Sequence, residues 1–349
     1  MASGGKSSTA VTKDYGKRTV IVTGSARGIG KAVALRMAED GYDVCINDIA
    51  ANKAGIDEGT LGRQSYGHAA DVSKRCEVEE LVEASVKNLG NLDVMIANAG
   101  IAQVKPLLDL TEDDVRRMFE VNVFGLFNSY SVAAKQMIKQ GTPGKIIGCA
   151  SVAAYKPMAL LSHYSASKWA VRGFTQAFAI EMAEHKITVN AYAPGLVDTP
   201  MWDLIDEEIG KKTGAQKGDT FKKMTEEKTA LKRPSVPEDV SKCVSYLASP
   251  DSDFMTGQTL IIEPIASLLS CTFSSRDYKR IQLFFELILT YLTKLCENRF
   301  GKLAPAFEVS NIPDEMREFH SVLQDYRLPC MESDVGEGSL SAIICKSVG

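Results

Sequence analysis

The sequence predicts an α/β fold in which a doubly wound parallel sheet carries helices on both faces. Short apolar, β-branched runs alternate with helical stretches, as expected for parallel strands that are buried on both sides. The first run leads directly into three glycines and then into a helix. Polar side chains follow the ends of several runs, where ligands bind in sheets of this kind. Residues 264–349, beyond the last run, predict an added C-terminal extension that is helical or irregular.

Length and composition favour one large domain with an appendage and exclude several classes of partner. The 349 residues carry a formal charge of −4, so no basic surface for nucleic acid is expected. The eight cysteines show no paired spacing and the four histidines are far apart, which argues against a metal site. We predict free thiols, a cytoplasmic protein and no membrane partner. Residues 1–18 are polar and are interpreted as a disordered leader rather than a transit peptide.

The first candidate site is a glycine loop between a strand and a helix. Strand 19–23 runs into Gly24-Ser25-Ala26-Arg27-Gly28-Ile29-Gly30, and a helix over 31–40 follows, closed by Gly41. Such glycines let the backbone approach a pyrophosphate at the helix N-terminus. The second strand, 43–47, ends at Asp48, whose carboxylate is placed to accept hydrogen bonds from ribose hydroxyls. We predict a dinucleotide site; a purely structural turn is the alternative.

The strand–helix alternation continues to residue 262. We predict a polar stretch over 50–62, a strand over 65–70 that ends at Asp71 and Val72, and a helix over 76–89. Next come a strand over 92–97, helices over 112–125 and 126–139 with capping groups at 109–111, a strand over 145–149, and a last strand over 258–262. The strand over 145–149 places Ser151 at its carboxyl end, where ligands bind, although a capping serine is the alternative.

Tyr164 and Lys168 form the second candidate site. A spacing of four residues on a helix puts both side chains on one face, one turn apart. A neighbouring ammonium stabilises a phenolate, which suits proton exchange with a carbonyl or alcohol oxygen. Ser151 would supply a hydroxyl that holds the substrate oxygen. A half-exposed helix face without chemistry is the alternative.

Together these motifs resemble the short-chain dehydrogenase/reductase family over residues 18–263. The resemblance rests on 23–30, Asn98-Ala99-Gly100, Asn122, Ser151, 164–168 and the Pro194-Gly195 turn. It implies a Rossmann-like fold, a nicotinamide cofactor and a catalytic group of Asn122, Ser151, Tyr164 and Lys168. In that group Tyr164 is the acid–base residue and Ser151 positions the carbonyl. Lys168 binds the nicotinamide ribose and Asn122 holds a water of the proton relay.

The glycine loop and the resemblance together predict the cofactor contacts. NAD(H) is the expected cofactor because the Asp48 carboxylate would repel a 2′-phosphate. NADP(H) remains possible because Arg27 could pair with that phosphate. The predicted contacts are Gly24, Ser25, Arg27, Gly28, Ile29, Gly30, Asp48, Asp71, Val72, Asn98, Gly100, Tyr164, Lys168, Pro194, Gly195, Val197 and Thr199.

A narrower resemblance, over 169–176, 199–202 and 245–253, is to diacetyl/acetoin reductases, also called butanediol dehydrogenases. It implies an enzyme that interconverts a small ketone and a secondary alcohol, and a homodimer or homotetramer. Residues 203–232 would form a mobile lid, with Trp202 either facing the substrate or anchoring the lid. The alternatives are a biosynthetic ketoreductase acting on a larger ketone and a cofactor-binding protein without catalysis.

The end of the chain departs from the family. Glu263 is followed by Pro264 and Ile265 where the family has two glycines and stops soon afterwards. The apolar stretch 281–297 predicts a helix packed on the domain or on a partner subunit, and the chain beyond Met331 is expected to be loosely ordered. The extension is interpreted as an added module without catalytic residues, or as a gene-model artefact that replaced the normal ending.

Overall fold

A computed structural model describes residues 17–57 and 64–263 of the chain. Its seven strands form one sheet in which every neighbouring pair is parallel. The strands are β1 Thr19–Thr23, β2 Asp43–Asp48, β3 Ser65–Ala69, β4 Val94–Ala97, β5 Gly144–Cys149, β6 Ile187–Pro194 and β7 Thr259–Ile262. The predicted doubly wound parallel sheet is confirmed.

Helices connect the strands on both faces of the sheet. They are α1 Gly28–Glu39, α2 Lys53–Asp57, α3 Arg75–Leu89, α4 Glu112–Phe119, α5 Gly125–Gln140, α6 Ser162–Met182, α7 Pro200–Thr213, α8 Asp219–Lys228 and α9 Pro237–Ala248. No helix in the described ranges combines the length and the apolar character needed to cross a bilayer.

The order of the strands in the sheet determines where a ligand site is expected. The sheet runs β3-β2-β1-β4-β5-β6-β7, so the chain leaves β1 toward one edge and β4 continues toward the other. The carboxyl ends of β1 and β4 therefore flank the point where the winding reverses, which is where ligands bind in open α/β sheets. The glycine loop follows β1, Asn98 follows β4, and Ser151 follows β5 at this same end.

The core consists of two apolar layers, one on each face of the sheet. Along β1 the side chains alternate, because Ile21 belongs to the layer formed with α3, α5 and α6, while Val20 and Val22 belong to the layer formed with α1 and α9. All five residues of β1 are buried. Burial on both faces explains why the strand reads as a continuous apolar run.

One predicted helix boundary is replaced by a continuous helical segment. The sequence suggested a break at Gly125, but α4 continues through a π-helical turn over Glu120–Phe124 into α5. A Cβ atom on Gly125 would lie 2.7 Å from Cγ2 of Val72. This glycine therefore allows α5 to pass close to the segment after β3 and does not end a helix.

The other predicted elements differ from the observed ones by their ends. Helix α1 starts at Gly28 rather than at residue 31, and β4 starts at Val94 rather than at residue 92. The predicted capping group of α4 is confirmed, because the Thr111 hydroxyl accepts a hydrogen bond from the backbone of Asp114.

The leader up to residue 16, the predicted helix over 281–297 and the rest of the extension lie outside the described residues. The division into a leader (1–18), a Rossmann-like domain (19–263) and an extension (264–349) therefore stays a prediction.

Candidate active site

The glycine loop crosses the end of β4 at a distance that only glycine allows. Gly24 and Gly28 have φ angles of +64° and +56°, in the left-handed region. A Cβ atom on Gly30 would lie 2.2 Å from the carbonyl oxygen of Gly24 and 2.5 Å from Nδ2 of Asn98. The start of α1 is consequently pressed against the loop, with its backbone N–H groups at the carboxyl edge of the sheet.

Asn98 holds this loop through its side chain. Its Nδ2 donates to the carbonyl oxygens of Thr23 (2.9 Å) and Gly24 (3.1 Å), and its Oδ1 accepts from the Tyr192 hydroxyl at 2.8 Å. Burial raises the pKa of Tyr192 well above its usual value, so its hydroxyl stays protonated and can donate. Both N–H bonds of the Asn98 amide are therefore used by the protein, and any contact with a cofactor would involve other atoms of this residue.

Asp48 connects the loop to the segment after β2. Its Oδ2 accepts from the backbone N–H of Ala26 at 3.1 Å, and its Oδ1 accepts from the backbone of Ile49 and the side chain of Asn52. A carboxylate has about four acceptor sites, so capacity for a ligand hydroxyl remains on Oδ2. The Ser25 hydroxyl, by contrast, is bound to the Val22 carbonyl at 2.7 Å. A cofactor contact of Ser25 is therefore expected from its backbone.

The remaining predicted cofactor residues lie around the same edge. Thr199 Cγ2 would be 3.7 Å from a Cβ atom on Gly28, which places the N-terminus of α7 beside the glycine loop. Val197 pairs with Ser235 in an isolated β-bridge, and the N–H of Gly195 donates to Ile262 of β7 at 3.1 Å. The Arg27 side chain is exposed, and no ion pair is observed for it in 17–57 or 64–263.

Asp71 and Val72 lie after β3, on the far side of the loop. The Asp71 carboxylate accepts from the backbone and the hydroxyl of Ser73, at 3.0 and 2.7 Å. Val72 is buried, and its carbonyl accepts a hydrogen bond from Asn128 at 3.0 Å. These contacts fix the segment that would border the adenine end of a dinucleotide.

Lys168 and Asn122 converge on one point of the predicted catalytic group. Lys168 is buried, and its Nζ donates to the carbonyl oxygen of Cys149 at 2.8 Å and lies 5.6 Å from the centre of the Tyr164 ring. A Cβ atom on Gly100 would be 3.2 Å from Asn122 Oδ1 and 3.5 Å from Lys168 Nζ. Tyr164 and Lys168 thus share a helix face, as the spacing predicts.

The π-helical turn after α4 carries Asn122. Its side chain binds both backbone groups of Ile101, accepting from the N–H at 2.8 Å and donating to the carbonyl at 3.0 Å, and it also donates to the Ser167 hydroxyl. Single π-helical turns inside α-helices are frequent at functional sites. The arrangement joins the chain after β4 to helix α6.

Ser151 and Tyr164 present the remaining hydroxyls. Ser151 has an extended backbone and is 8% exposed, and its hydroxyl accepts from the Ala153 N–H at 3.1 Å. This bond uses an acceptor lone pair and leaves the Ser151 proton available to a ligand. Within the described ranges, the Tyr164 hydroxyl has no hydrogen-bond partner.

An apolar cluster surrounds the Tyr164 ring. Val104, Leu161 and Ile205 are buried in it, and the partly buried residues packed against them are Ala102, Met158, Leu160, Tyr164, Trp202 and Ile209. The Trp202 ring also lies 5.7 Å from that of Phe221 in α8. Trp202 packs against the same cluster as Tyr164 and joins α7 to α8. Whether it faces the substrate or anchors the predicted lid stays a prediction.

Sequence reasoning missed several residues that support the site. Thr23 receives hydrogen bonds at its hydroxyl from the backbone of Asn98 and Ala99. Ser167 donates to the Tyr164 carbonyl and receives a bond from Asn122. Thr23 and Ser167 lie within the motifs at 23–30 and 164–168, so their supporting role could have been recognised from the sequence. Tyr192 carried none, because it reads as an ordinary apolar residue of a buried strand.

Comparison with known proteins decides the family. The family model described as short chain dehydrogenase matches residues 18–210, which is more than half of the chain. The chain belongs to the short-chain dehydrogenase/reductase family. It is therefore a dehydrogenase/reductase that acts on CH–OH groups with an NAD(P) cofactor.

Two curated relatives cover the same part of the chain. The chain is 41% identical over 251 residues to L-2,3-butanediol dehydrogenase of Corynebacterium glutamicum, covering 70% of this chain and 97% of the relative. It is 44% identical over 252 residues to the (S)-acetoin-forming diacetyl reductase of Staphylococcus epidermidis, with the same two coverages.

Solved structures confirm the Rossmann-like fold. A variant of actinorhodin polyketide ketoreductase with NADPH matches with a TM-score of 0.68 and 30% identity, covering 71% of this chain and 96% of that one. A 3-ketoacyl-(acyl-carrier-protein) reductase from Brucella melitensis complexed with NADH matches with a TM-score of 0.62 and 28% identity, covering 70% and 96%.

The residues present fit a dinucleotide. The loop over Gly24–Gly30 is held close to the end of β4 because Gly30 has no side chain, and α1 begins at Gly28 inside this loop. Asp48 has acceptor capacity at the end of β2 for ribose hydroxyls. Lys168 has donors to spare, because one of its three N–H bonds goes to Cys149.

This geometry predicts that Gly30→Ala damages the cofactor site. The added methyl group must displace the Gly24 carbonyl or the Asn98 side chain, and overpacking of this kind costs about 1–3 kcal/mol. We expect NADH affinity, measured by fluorescence titration, to fall at least about tenfold. Leu35→Ala is the control, because Leu35 lies on the same helix and is 43% exposed. Unchanged NADH binding by folded Gly30→Ala protein would contradict this account of the loop.

Proposed function

We propose that the protein interconverts a small vicinal diketone or hydroxyketone with the corresponding alcohol, as in the diacetyl and acetoin reactions. The observation that carries this proposal is the apolar cluster packed around Tyr164, in which Leu161 and Ile205 are buried and Trp202 is partly buried. Apolar walls close to the reacting group suit a short carbon chain. The activities for which the two relatives are named support the same substrate class.

In the proposed mechanism Tyr164 exchanges a proton with the substrate oxygen. A bound nicotinamide would supply or accept the hydride. Lys168 stabilises the phenolate of Tyr164 by its positive charge and holds the cofactor ribose with the N–H bonds that Cys149 does not use. Ser151 donates to the substrate oxygen and so fixes its position beside the Tyr164 hydroxyl.

Asn122 supports this proton path in a different way from Lys168. Its side-chain amide is already bound to Ile101 and Ser167. We therefore assign the relay water to the backbone carbonyl oxygen of Asn122, while its side chain holds the segment after β4 in place. The π-helical turn supports this assignment, since it shifts the backbone hydrogen bonds away from the regular pattern.

A larger ketone is the second candidate substrate. The similarity to the polyketide ketoreductase structure favours it, because the same fold carries that activity in a relative. The pair α7 and α8, joined through Trp202 and Phe221, would then have to move further to admit the substrate. A cofactor-binding protein without catalysis is less well supported, because every predicted catalytic side chain lies at the carboxyl end of the sheet.

We propose NAD(H) as the preferred cofactor. The Asp48 carboxylate is 9% exposed and lies next to the backbone of Ala26, at the position of the adenine ribose in this fold. A negative charge there disfavours a 2′-phosphate. The exposed guanidinium of Arg27 opposes this preference, because it is placed in the same loop.

We also propose a homodimer or homotetramer. Helices α5 and α6 expose large apolar side chains, among them Phe127, Trp169 and Phe174, which are 42%, 47% and 40% exposed. The rings of Phe127 and Phe174 lie 6.1 Å apart and join the two helices into one apolar face. A second copy covering this face would remove it from water. The cytoplasmic location stays a prediction.

A substrate panel tests the proposed function. With NADH we expect kcat/KM for diacetyl or acetoin to exceed that for bulky aromatic ketones by at least about tenfold, because apolar walls close to Tyr164 suit a short carbon chain. The reverse reaction is followed with 2,3-butanediol and NAD. A clear preference for the aromatic ketones would support the second candidate and overturn the first.

The role of Tyr164 predicts a separation of binding from turnover. Tyr164→Phe removes the transferable proton and keeps the ring, so NADH affinity should hold while kcat falls roughly 10²–10⁴-fold. Lys168→Ala should lower both. Tyr246→Phe on α9 is the control, since that ring is 39% exposed and lies on another helix. Near-normal turnover by Tyr164→Phe would exclude this residue as the acid–base group.

The cofactor preference predicts opposite effects for two residues. Asp48→Asn keeps an acceptor for Ala26 and removes the charge, so the ratio of kcat/KM for NADH to that for NADPH should fall about tenfold or more. Arg27→Ala should lower only the activity with NADPH. The measurement is kcat/KM for both cofactors, and a preference of the unmodified protein for NADPH would mean that Arg27 outweighs Asp48.

A further inference from the structure

A buried histidine immediately precedes the acid–base tyrosine and has no part in the mechanism above. His163 stands in the first turn of α6 and is 3% exposed. Its Nε2 lies 3.0 Å from Oε1 of Gln103, and its Nδ1 is buried without a hydrogen-bond partner in the described part of the chain. A buried polar atom of this kind calls for an explanation.

The neighbours of His163 determine which ring nitrogen carries the proton. Gln103 donates through Nε2 to Oδ1 of Asp114 at 2.8 Å, and an ionised carboxylate can only accept. Hydrogen bonds from Lys105 and Gln103 hold the pKa of Asp114 well below its ordinary value, so the carboxylate is ionised. The Gln103 amide therefore turns its oxygen toward His163. The imidazole must donate from Nε2, and its Nδ1 carries no proton.

This chain of polar contacts starts at a fixed point on α4. Lys105 Nζ lies 2.6 Å from Oδ2 of Asp114, which also accepts from the backbone and hydroxyl of Thr111. Asp114 is thus held by the cap of α4 as well as by Lys105. The polar chain from Lys105 through Asp114 and Gln103 to His163 connects α4 with α6.

Residues 101–105, which follow β4 and precede α4, form one wall of the site. Ala102 and Val104 belong to the apolar cluster around Tyr164, while Ile101 is bound at both backbone groups by Asn122. Lys105 donates its backbone N–H to the carbonyl of Leu160 at 2.8 Å. The wall is therefore attached to α6 and the segment before it at two places, this backbone bond and the His163–Gln103 bond.

We propose that His163 is a positioning residue that holds the wall over 101–105 against α6 through Gln103, and that it does so only while its imidazole is neutral. The inference rests on the proposed function, because the wall over 101–105 would contact the substrate bound beside Tyr164. His163 acts through Gln103 and the wall on substrate affinity, and it takes no part in proton or hydride transfer.

The same surroundings give the pH dependence. Burial lowers the pKa of His163; the negative charge of Asp114 on α4 opposes this shift and the positive charge of Lys105 in the wall adds to it. Within α6 the adjacent polar side chains are Ser162 and Tyr164. An imidazolium still donates from Nε2, but protonation adds a second N–H at Nδ1, which is buried without an acceptor. The charged ring would have to shift to bring this N–H to water, and that shift would withdraw Nε2 from Gln103. Because the folded pKa lies below the ordinary value of about 6.5, the contact is complete above that pH and its contribution is lost as the pH falls below it.

The test compares two substitutions over pH 5.5–8 with whichever carbonyl substrate gives turnover. His163→Phe fills the space but cannot donate to Gln103, so KM should rise about three- to tenfold at pH 7.5, the effect of one lost hydrogen bond, while kcat and NADH affinity stay within about twofold. His163→Gln restores a donor that does not titrate, so KM should return toward the unmodified value and its rise at acid pH should disappear. His185→Gln, at a histidine near Glu184 on the surface, should keep the original profile.

A second variant and a spectroscopic readout keep the test decisive. Gln103→Leu removes the bond from the wall side and should raise KM as His163→Phe does, including when His163→Phe does not fold. Nitrogen-15 spectra of the imidazole should show the proton on Nε2 and a titration midpoint below about 6.5. These spectra apply even if no substrate of the panel turns over, so failure of the proposed function is distinguishable. Unchanged KM in both variants, a fall in kcat alone, or a proton on Nδ1 would overturn the proposal.

Discussion

The close passage of the glycine loop over the end of β4 is the constraint on which the cofactor site depends. Gly30 has no room for a side chain, and Asn98 fills the remaining gap with an amide bound to Thr23, Gly24 and Tyr192. Because Tyr192 lies on β6, this one side chain connects β1, β4 and a strand two places further along the sheet. A buried hydrogen-bond network stabilises the fold most when each of its polar groups has a partner. A buried polar group without a partner would destabilise the fold by the full free energy of its desolvation.

The catalytic half of the site is built on backbone atoms in the same manner. Lys168 is anchored on the Cys149 carbonyl and Asn122 on both polar groups of Ile101. A buried ammonium that donates to one carbonyl is poorly compensated for its loss of water. The phenolate of Tyr164 and the hydroxyls of a bound ribose would complete that compensation.

The sequence was sufficient for six of the seven described strands and for the family, because buried parallel strands leave continuous apolar runs and the motifs keep their order. Strand β6, Ile187–Pro194, was not predicted. The sequence was also insufficient where a residue's role depends on a neighbour distant in the chain. Gly125 looked like a helix end, but it allows close contact with Val72. Ser25 and Asn98 were predicted as cofactor contacts, yet their side chains are taken up by the loop itself. The contacts of Gly125 and Asn98 have no local signal, since their partners are distant in the chain.

The distribution of polar groups separates substrate recognition from the chemistry. Around Tyr164 the walls are apolar, and Trp202 with Phe221 closes the side formed by α7 and α8. Lys105, at the end of the wall over 101–105, pairs with Asp114 on α4, and the Gln103 amide links Asp114 to His163. On the proposed role of His163, a change in this chain of contacts would alter substrate affinity without altering the proposed proton transfer by Tyr164.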